Sequence, residues 1–444
     1  MRKMFLRAGA FAGLAFSALA LASCGGSSEV EVKDAQGNTV KISQTEDSEA
    51  VTKALVVVAQ NGMTKTEKNY AFYIDAKVDA NINVSLQGIT GNIAANASAY
   101  LGATLGNKTY KAYTPTEEGY AEADNTEAAA FLKQNLGVLA SLDGSVKFSN
   151  VTVDEKYEGF ANYSKEMLDA VKDSVSGYNN KTATAKARAF LYDGAFYVEL
   201  DANAPKEMAN AKEDLTLNYY GKMALPLDDM AAMISTALSD YQTLSYDELI
   251  EKYSSMLENF GVSLPTMPMG SFSIPENFFT SEDYTKTVNA IKELGVKISA
   301  VENNNVTFSV DLTINKVLNA AKSYLGEEAV TAIVSTLGLD DVNKDTTFLS
   351  LSISYDVVKN VVTQVKASSQ ALDTIATLVN AVAKVISMMQ GSMSGTALIP
   401  EGALTGNFTF EANFKVDGDV SFNAAPDANK TYVDMDLSDL PFAA

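Results

Sequence analysis

The chain of 444 residues contains no histidine and no tryptophan, and it has a single cysteine. Without histidine there is no Ser-His-Asp or Cys-His catalysis, no His-ligated zinc or iron, and no histidine pH switch. One cysteine cannot build a disulfide framework or a multi-thiolate metal site. The missing tryptophan removes the usual aromatic platform for sugars, which twenty tyrosines replace only in part. Positive charge is also scarce: 34 Lys and Arg stand against 55 Asp and Glu, a net charge of −21. Such a surface lacks the basic footprint that nucleic acid requires, and it repels anionic lipid headgroups. The remaining enzyme chemistries are paired carboxylates, Ser-Lys and oxygen-ligated metals. None has a signature here. The reading is therefore of a non-enzymatic protein without catalytic residues, cofactor or metal.

The first residues carry the clearest signal. Arg2, Lys3 and Arg7 precede an uncharged stretch, Ala8 to Ala20, of Ala, Gly, Leu, Phe and Ser. It is shorter than the ~20 apolar residues a bilayer span needs, and it has the length and flanks of an export signal. The stretch ends Leu21-Ala22-Ser23-Cys24. This resembles the lipobox of bacterial lipoproteins, in which small residues precede an obligatory cysteine. The resemblance implies a diacylglycerol thioether on Cys24, cleavage before it, and residence at the cell membrane or outer membrane on the extracytoplasmic side. The competing reading is an ordinary cleaved signal with an incidental cysteine, or an uncleaved anchor. That Cys24 is the only cysteine favours the lipobox. Without Arg2, Lys3 and Arg7 the remaining chain carries a net charge of −24. Membrane residence would then come from the anchor, since each buried CH2 of an acyl chain contributes ~0.8 kcal/mol.

The body reads as α+β, with long antiparallel β-hairpins forming large curved sheets packed against several helices. Phe72, Ile74, Ala76, Val78, Ala80, Ile82, Val84 and Leu86 alternate with polar residues for sixteen positions. That period of two marks a half-buried antiparallel strand. Gly88 and Thr90-Gly91-Asn92 turn the chain, and an alanine-rich return strand follows from Ile93. Asp193-Gly194 predicts a two-residue hairpin turn between 183–191 and 196–200. Further strands are expected at 145–153, 215–225, 296–301, 306–314, 347–355 and 361–368. Another hairpin spans 404–422, turning at Asp417-Gly418-Asp419. Helices are expected at 48–60 (Ser48 as cap, Gly62 as stop), 127–140, 161–176, 229–240, 246–260, 282–294, 315–325, 327–337 and 371–390. The organisation is a signal peptide at 1–23, a tether and small hairpin at 24–46, and a first α+β module at 47–262. A proline-rich linker at 263–276 and a second module at 277–444 follow, the two modules being separate or one continuous domain.

Several constellations were weighed for chemistry. Asp341, Asn343 and Asp345 have the odd-position spacing of a calcium loop. Thr346 stands where that loop needs glycine and Ser352 where it needs a bidentate acid, so a helix-to-strand turn is the better reading. Met267, Met269, Met388, Met389 and Met393 suggest a soft-metal site or, more simply, core filling. Asp75, Lys77 and Asp79 share the outward face of the first long strand and read as solvated. Tyr219, Tyr220, Tyr241, Tyr246 and Tyr253 make either a binding surface or helix–sheet packing. Helix 371–390 carries the stripe Leu372, Ile375, Val379, Val382, Ile386 and Met389. It is either a core helix or one that lines an apolar cavity.

Hairpins such as Ala189-Phe190-Leu191-Tyr192-Asp193-Gly194-Ala195-Phe196-Tyr197-Val198, in a lipobox-bearing chain, look like the LolA and LppX/LprG group. That resemblance implies a half-barrel sheet closed over helices, with acyl chains in an apolar hollow. It is a likeness of pattern, clearest over 160–225, and carries over no ligand residues. The expected function is a lipid-anchored envelope protein that binds or carries a hydrophobic ligand such as a lipid. The alternatives are a structural or interaction lipoprotein with a filled core, and a transporter solute-binding subunit. The last predicts two parallel α/β lobes, which long period-two strands oppose.

Overall fold

The computed structural model describes residues 29–34, 37–63, 71–104, 136–209, 211–225, 278–337, 343–389, 402–416 and 424–435, with a few isolated positions between them. Cys24 and the proline-rich stretch lie outside the described residues, as do the expected helices at 229–240 and 246–260 except Asp240, Glu248 and Lys252, which are helical.

A small hairpin opens the described chain: β1 (Glu29–Lys33) and β2 (Thr39–Ser43), in register Glu29↔Ser43. Helix α1 (Ser48–Met63) follows. Its cap is Asp47 rather than Ser48, because the Asp47 carboxylate accepts from Ala50 N at 2.8 Å. Gly62 sits inside the last turn and does not stop the helix.

Strands β3 (Ala71–Leu86) and β4 (Ile89–Thr104) form the long hairpin. The turn is tighter than Thr90-Gly91-Asn92 suggested. Gln87 and Gly88 both take positive φ, 51° and 78°, the backbone of a two-residue hairpin turn, so pairing resumes at once with Leu86↔Ile89. A two-residue pair, β5 (Pro115–Thr116) with β6 (Gly119–Tyr120), stands apart. Strand β7 (Gly137–Val153) corrects the expected helix at 127–140 over its last four residues. Val138, Ala140 and Leu142 extend the alternation seen later in that strand. Pairing along the whole of β4 outweighs helix propensity there.

Helix α2 (Lys165–Ser176) is capped by Ser164, whose hydroxyl accepts from Met167 N. Then come β8 (Thr182–Tyr192), β9 (Ala195–Ala204), the single turn α3 (Lys206–Ala209) and β10 (Leu215–Ala224). The second half supplies α4 (Glu282–Leu294), β11 (Lys297–Glu302), β12 (Asn305–Thr313), α5 (Ile314–Leu325) and α6 (Glu327–Leu337). Strands β13 (Thr347–Asp356) and β14 (Val361–Ser369), helix α7 (Leu372–Met389), β15 (Leu404–Val416) and β16 (Val433–Asp434) complete it.

Twelve strands join in one open sheet, in the order β11-β12-β13-β14-β15-β3-β4-β7-β8-β9-β10-β16. All neighbours are antiparallel except β10 and β16. The expected α+β class with long antiparallel hairpins is thus observed. Strand β15, near the C-terminus, pairs with both β14 and β3, so the sheet runs unbroken from the second half of the sequence into the first. The expected turn at 417–419 and the return at 421–422 lie outside the described residues; β15 itself is flanked by β14 and β3. Strand β16 runs parallel to β10 on the far edge.

Burial is uneven across this sheet. The main core gathers β1, β2, α1, α4 and β11–β13, with Val51, Val58, Val306 and Phe308 fully buried. A smaller core, Leu139, Phe190, Ala195 and Tyr197, lies at the other end.

Candidate functional site

The strand registers resolve the sheet into two chemically distinct faces. One transverse row runs Ile298–Phe308–Ile353–Val365–Ala412–Ala76–Ala99–Leu142–Ala187–Leu200–Tyr219. The adjacent row on the opposite face runs Thr307–Ser354–Gln364–Asn413–Asp75–Tyr100–Ser141–Arg188–Glu199–Tyr220. Alternation, interrupted by a few bulges, makes one face mainly apolar and the other mainly polar, although Leu139, Phe190, Ala195 and Tyr197 set the smaller core on the polar side.

Among the described residues, the apolar face is covered at one end only. Phe308 and Ile353 are 0% and 4% exposed beneath the helices of the main core, whereas Leu142 and Tyr219 in the same row are 47% and 36% exposed. Phe72, Val78, Leu101, Leu215 and Leu217 are exposed on this face as well. Side-chain size shapes the open half. Strand β4 presents Ala95, Ala97, Ala99 and Ala103, and β8 presents Ala183, Ala185, Ala187 and Ala189. Between them β7 adds Ala140 and Gly144, interrupted by Leu142. Phe408, Phe410 and Phe414 of β15 rise on one side; Phe196, Val198 and Leu200 of β9 rise on the other. The outcome is a shallow apolar trough with an alanine floor. Adjacent strands are ~4.8 Å apart, so this floor has the width of one or two extended acyl chains. A separate shallow cleft of about 430 Å³ lies at the β11 edge, lined by Gln44, Thr45, Glu46, Lys297, Ile298 and Ser299. Five of its six lining residues are polar or charged.

The polar face carries the densest ionic cluster among the described residues. Glu199, on β9, has a side chain only 3% exposed. It accepts from Arg188 Nη1 at 3.2 Å, from Lys430 Nζ at 3.0 Å and from Tyr432 Oη at 2.6 Å. Asp201, two residues along the strand, accepts from Lys430 at 3.1 Å and from the Tyr220 hydroxyl. Burial alone would raise the Glu199 carboxyl. The Tyr432 hydrogen bond, Lys430 and Arg188 outweigh it and hold the carboxyl below the ordinary carboxylate range. The Tyr220 hydrogen bond and Lys430 likewise hold Asp201 low. Tyr432 is pushed up to about 12, first by burial and then by its bond to Glu199. Its ring packs edge-on against Tyr197, which stacks on Phe190. These contacts fasten segment 424–435 across the polar face. The segment then rounds the edge as β16 and brings the Met435 side chain over Gly221, where a Cβ would displace it. Both carboxylates are met by donors of the cluster, and Arg188 Nη2 and the Tyr432 hydroxyl also bond the backbone of Ala425 and Asp427, so its chemistry is that of a latch.

The motifs singled out in the sequence fare unevenly. Asp341 lies outside the described residues. Asn343 accepts from Asp345 N, and Asp345 accepts from Asn315 Nδ2, which makes this a turn tied to α5. Among the described residues no cluster of acidic groups is arranged to hold a metal ion. Met267, Met269 and Met393 lie outside the described residues, as do Tyr241, Tyr246 and Tyr253. Tyr219 faces the open apolar side and Tyr220 the latch. Asp75, Lys77 and Asp79 lie on the polar face, with Lys77 and Asp79 exposed. Helix α7 packs against β15 and buries Ala371, Thr374 and Ala376, leaving Val379 of the expected stripe 42% exposed. Asn380 is half-buried because it bonds both ways with the backbone of Ile399. Among the described residues no helix is long and apolar enough to cross a membrane. The Glu199 latch was not foreseen. Glu199 and Tyr432 lie 233 positions apart, and only the polar phase of β9 hinted at Glu199.

The chain matches no protein-family model, no curated protein and no solved structure.

Proposed function

We propose that this protein is a lipid-anchored, extracytoplasmic envelope protein that holds an acyl-chain ligand against the open half of its apolar sheet face. The carrying observation is the asymmetry of one transverse row, buried at Ile298, Phe308, Ile353 and Ala412 and exposed at Leu142 and Tyr219. Soluble proteins seldom leave a contiguous apolar surface of this kind without an occupant. The occupant suits the trough: an alkyl chain needs no polar partner, and a floor of alanine lets it approach the backbone closely. The lipobox at Cys24 and the absence of histidine and free thiol chemistry agree with a non-enzymatic carrier at a membrane surface.

The test is native mass spectrometry of the full chain released gently from detergent. The expected spectrum carries bound lipid, and Leu142→Asp lowers its occupancy at least tenfold without unfolding the protein. A clean unliganded mass, with no uptake of added fatty acid, overturns the reading. Such a result would favour a protein partner on the same face. The anchor is tested separately. Cys24→Ser abolishes acyl labelling and membrane fractionation, and unchanged fractionation would refute it.

A further inference from the structure

The two edges of the sheet are treated differently. Strand β11 is protected: Lys297 and Glu302 mark its ends, a bulge interrupts it between Ile298 and Ala300, and Ile298 bonds both ways with Thr45. Charge, bulges and cover are the ordinary means by which edge strands avoid pairing with other chains. Among the described residues, strand β10 has almost none of this. Its outer edge is met by β16 only at Gly221 and Lys222. Residues Leu215-Thr216-Leu217-Asn218-Tyr219 contain no charge and no proline, and all five are exposed.

The backbone phase is also set. Met435 N donates to the Lys222 carbonyl at 2.8 Å, so Lys222 points its main-chain groups outward. By the period of two, Asn218 and Thr216 do the same, while Leu215, Leu217 and Tyr219 turn theirs toward β9. Two outward N–H and two outward C=O groups therefore stand ready for a fifth-residue-wide strand partner. The free window is 215–219, and its midpoint is Leu217.

We infer that this edge pairs with the same edge of a second copy, antiparallel and centred on Leu217. In that register Thr216 and Asn218 of one copy exchange their outward hydrogen bonds with Asn218 and Thr216 of the other. Leu215 meets Tyr219 and Leu217 meets Leu217 on the apolar face, with no charge opposed to a like charge. An isologous contact closes on itself, and the protected β11 edge blocks the head-to-tail alternative that would make fibres. The pairing would join two apolar troughs side by side. Five residues bury less than the ~1,000 Å² of a stable interface, so the association is weak and concentration-dependent.

The test uses the full-length chain with Cys24→Ser, so that each introduced thiol is the only one. Leu217 is a non-hydrogen-bonded pair in this register, with Cα atoms roughly 4.5 Å apart, inside the span a disulfide bridges. Leu217→Cys should oxidise to a dimer at least ten times faster than Asp79→Cys, which sits on the exposed polar face of β3. Leu215→Cys and Tyr219→Cys should each dimerise slowly alone and rapidly when mixed. In the cysteine-free chain, sedimentation velocity should show a monomer–dimer shift that Leu217→Lys removes. Equal rates for Leu217→Cys and Asp79→Cys overturn the pairing. Equal rates for all single variants, with no gain on mixing, overturn the register and the proposal with it.

Discussion

Glu199 is the residue on which the C-terminal end of the described chain depends. Three donors converge on its buried carboxylate, and two of them, Lys430 and Tyr432, come from the segment that crosses the sheet. Removing one partner of a buried ionic cluster leaves the others uncompensated, which costs about 3 kcal/mol or more. Glu199→Ala should therefore lower stability by about that amount in urea unfolding and strip hydrogen-exchange protection from 424–435. The same cluster sets a pH dependence. Glu199 and Asp201 are both held below their ordinary values, so the unfolded chain takes up their protons first as pH falls. Their contribution is complete above about pH 4.5 and is lost as pH drops through the lowered folded values. Hydrogen exchange at pH 6 and pH 3, corrected for intrinsic rates, should show segment 424–435 opening at the lower pH. Undiminished protection at pH 3 would remove the carboxylates from that role.

At the scale of elements, turns and one strand junction govern the register. Gln87-Gly88 and Asp193-Gly194 place both central residues at positive φ, which matches the twist of the strands they join. Both hairpins then keep their apolar residues on one face from the first pair onward. The junction of β15 with β3 depends on Gly406, whose φ of 124° suits glycine alone. A Cβ at that position would overlap the carbonyl oxygen of Asn81. Gly406→Val should cost about 2 kcal/mol or more by straining the backbone and pushing β15 from β3. Denaturant unfolding checks the value, and a change under 0.5 kcal/mol would mean the junction bends freely. Most elements were readable from period, caps and turn residues, as with α4, capped by Ser281 and stopped by Gly295 at φ 72°. The start of β7 was not. Gly137-Val138-Leu139-Ala140 has no strong preference, and its neighbours β4 and β8 decide it.

Over the whole molecule, the stabilising core sits at one end of a sheet whose apolar face continues past it. This predicts opposite responses to one substitution. Ile353→Glu places a carboxylate in the buried part of the row and should unfold the domain or cost more than about 4 kcal/mol. Leu142→Glu, in the same row on the open half, should change stability by less than about 0.5 kcal/mol. Thermal unfolding of the two variants makes the comparison. Similar losses would mean that the open half is packed in solution. The acidic net charge fits this layout, since mutual repulsion keeps copies with an open apolar face dispersed until a specific contact forms.

Alternation along the chain was enough to determine which residues share a face, because a strand's side chains change sides at every residue whatever the strand pairs with. Residue absence was enough to remove histidine chemistry and, with a single cysteine, any disulfide framework or multi-thiolate metal site. Strand order, the bridge that β15 makes between the halves, the partial cover of the apolar face and the Glu199 latch were decided only in three dimensions. Each depends on contacts between segments far apart in the chain, and no local preference encodes which distant strand or charge will be the neighbour.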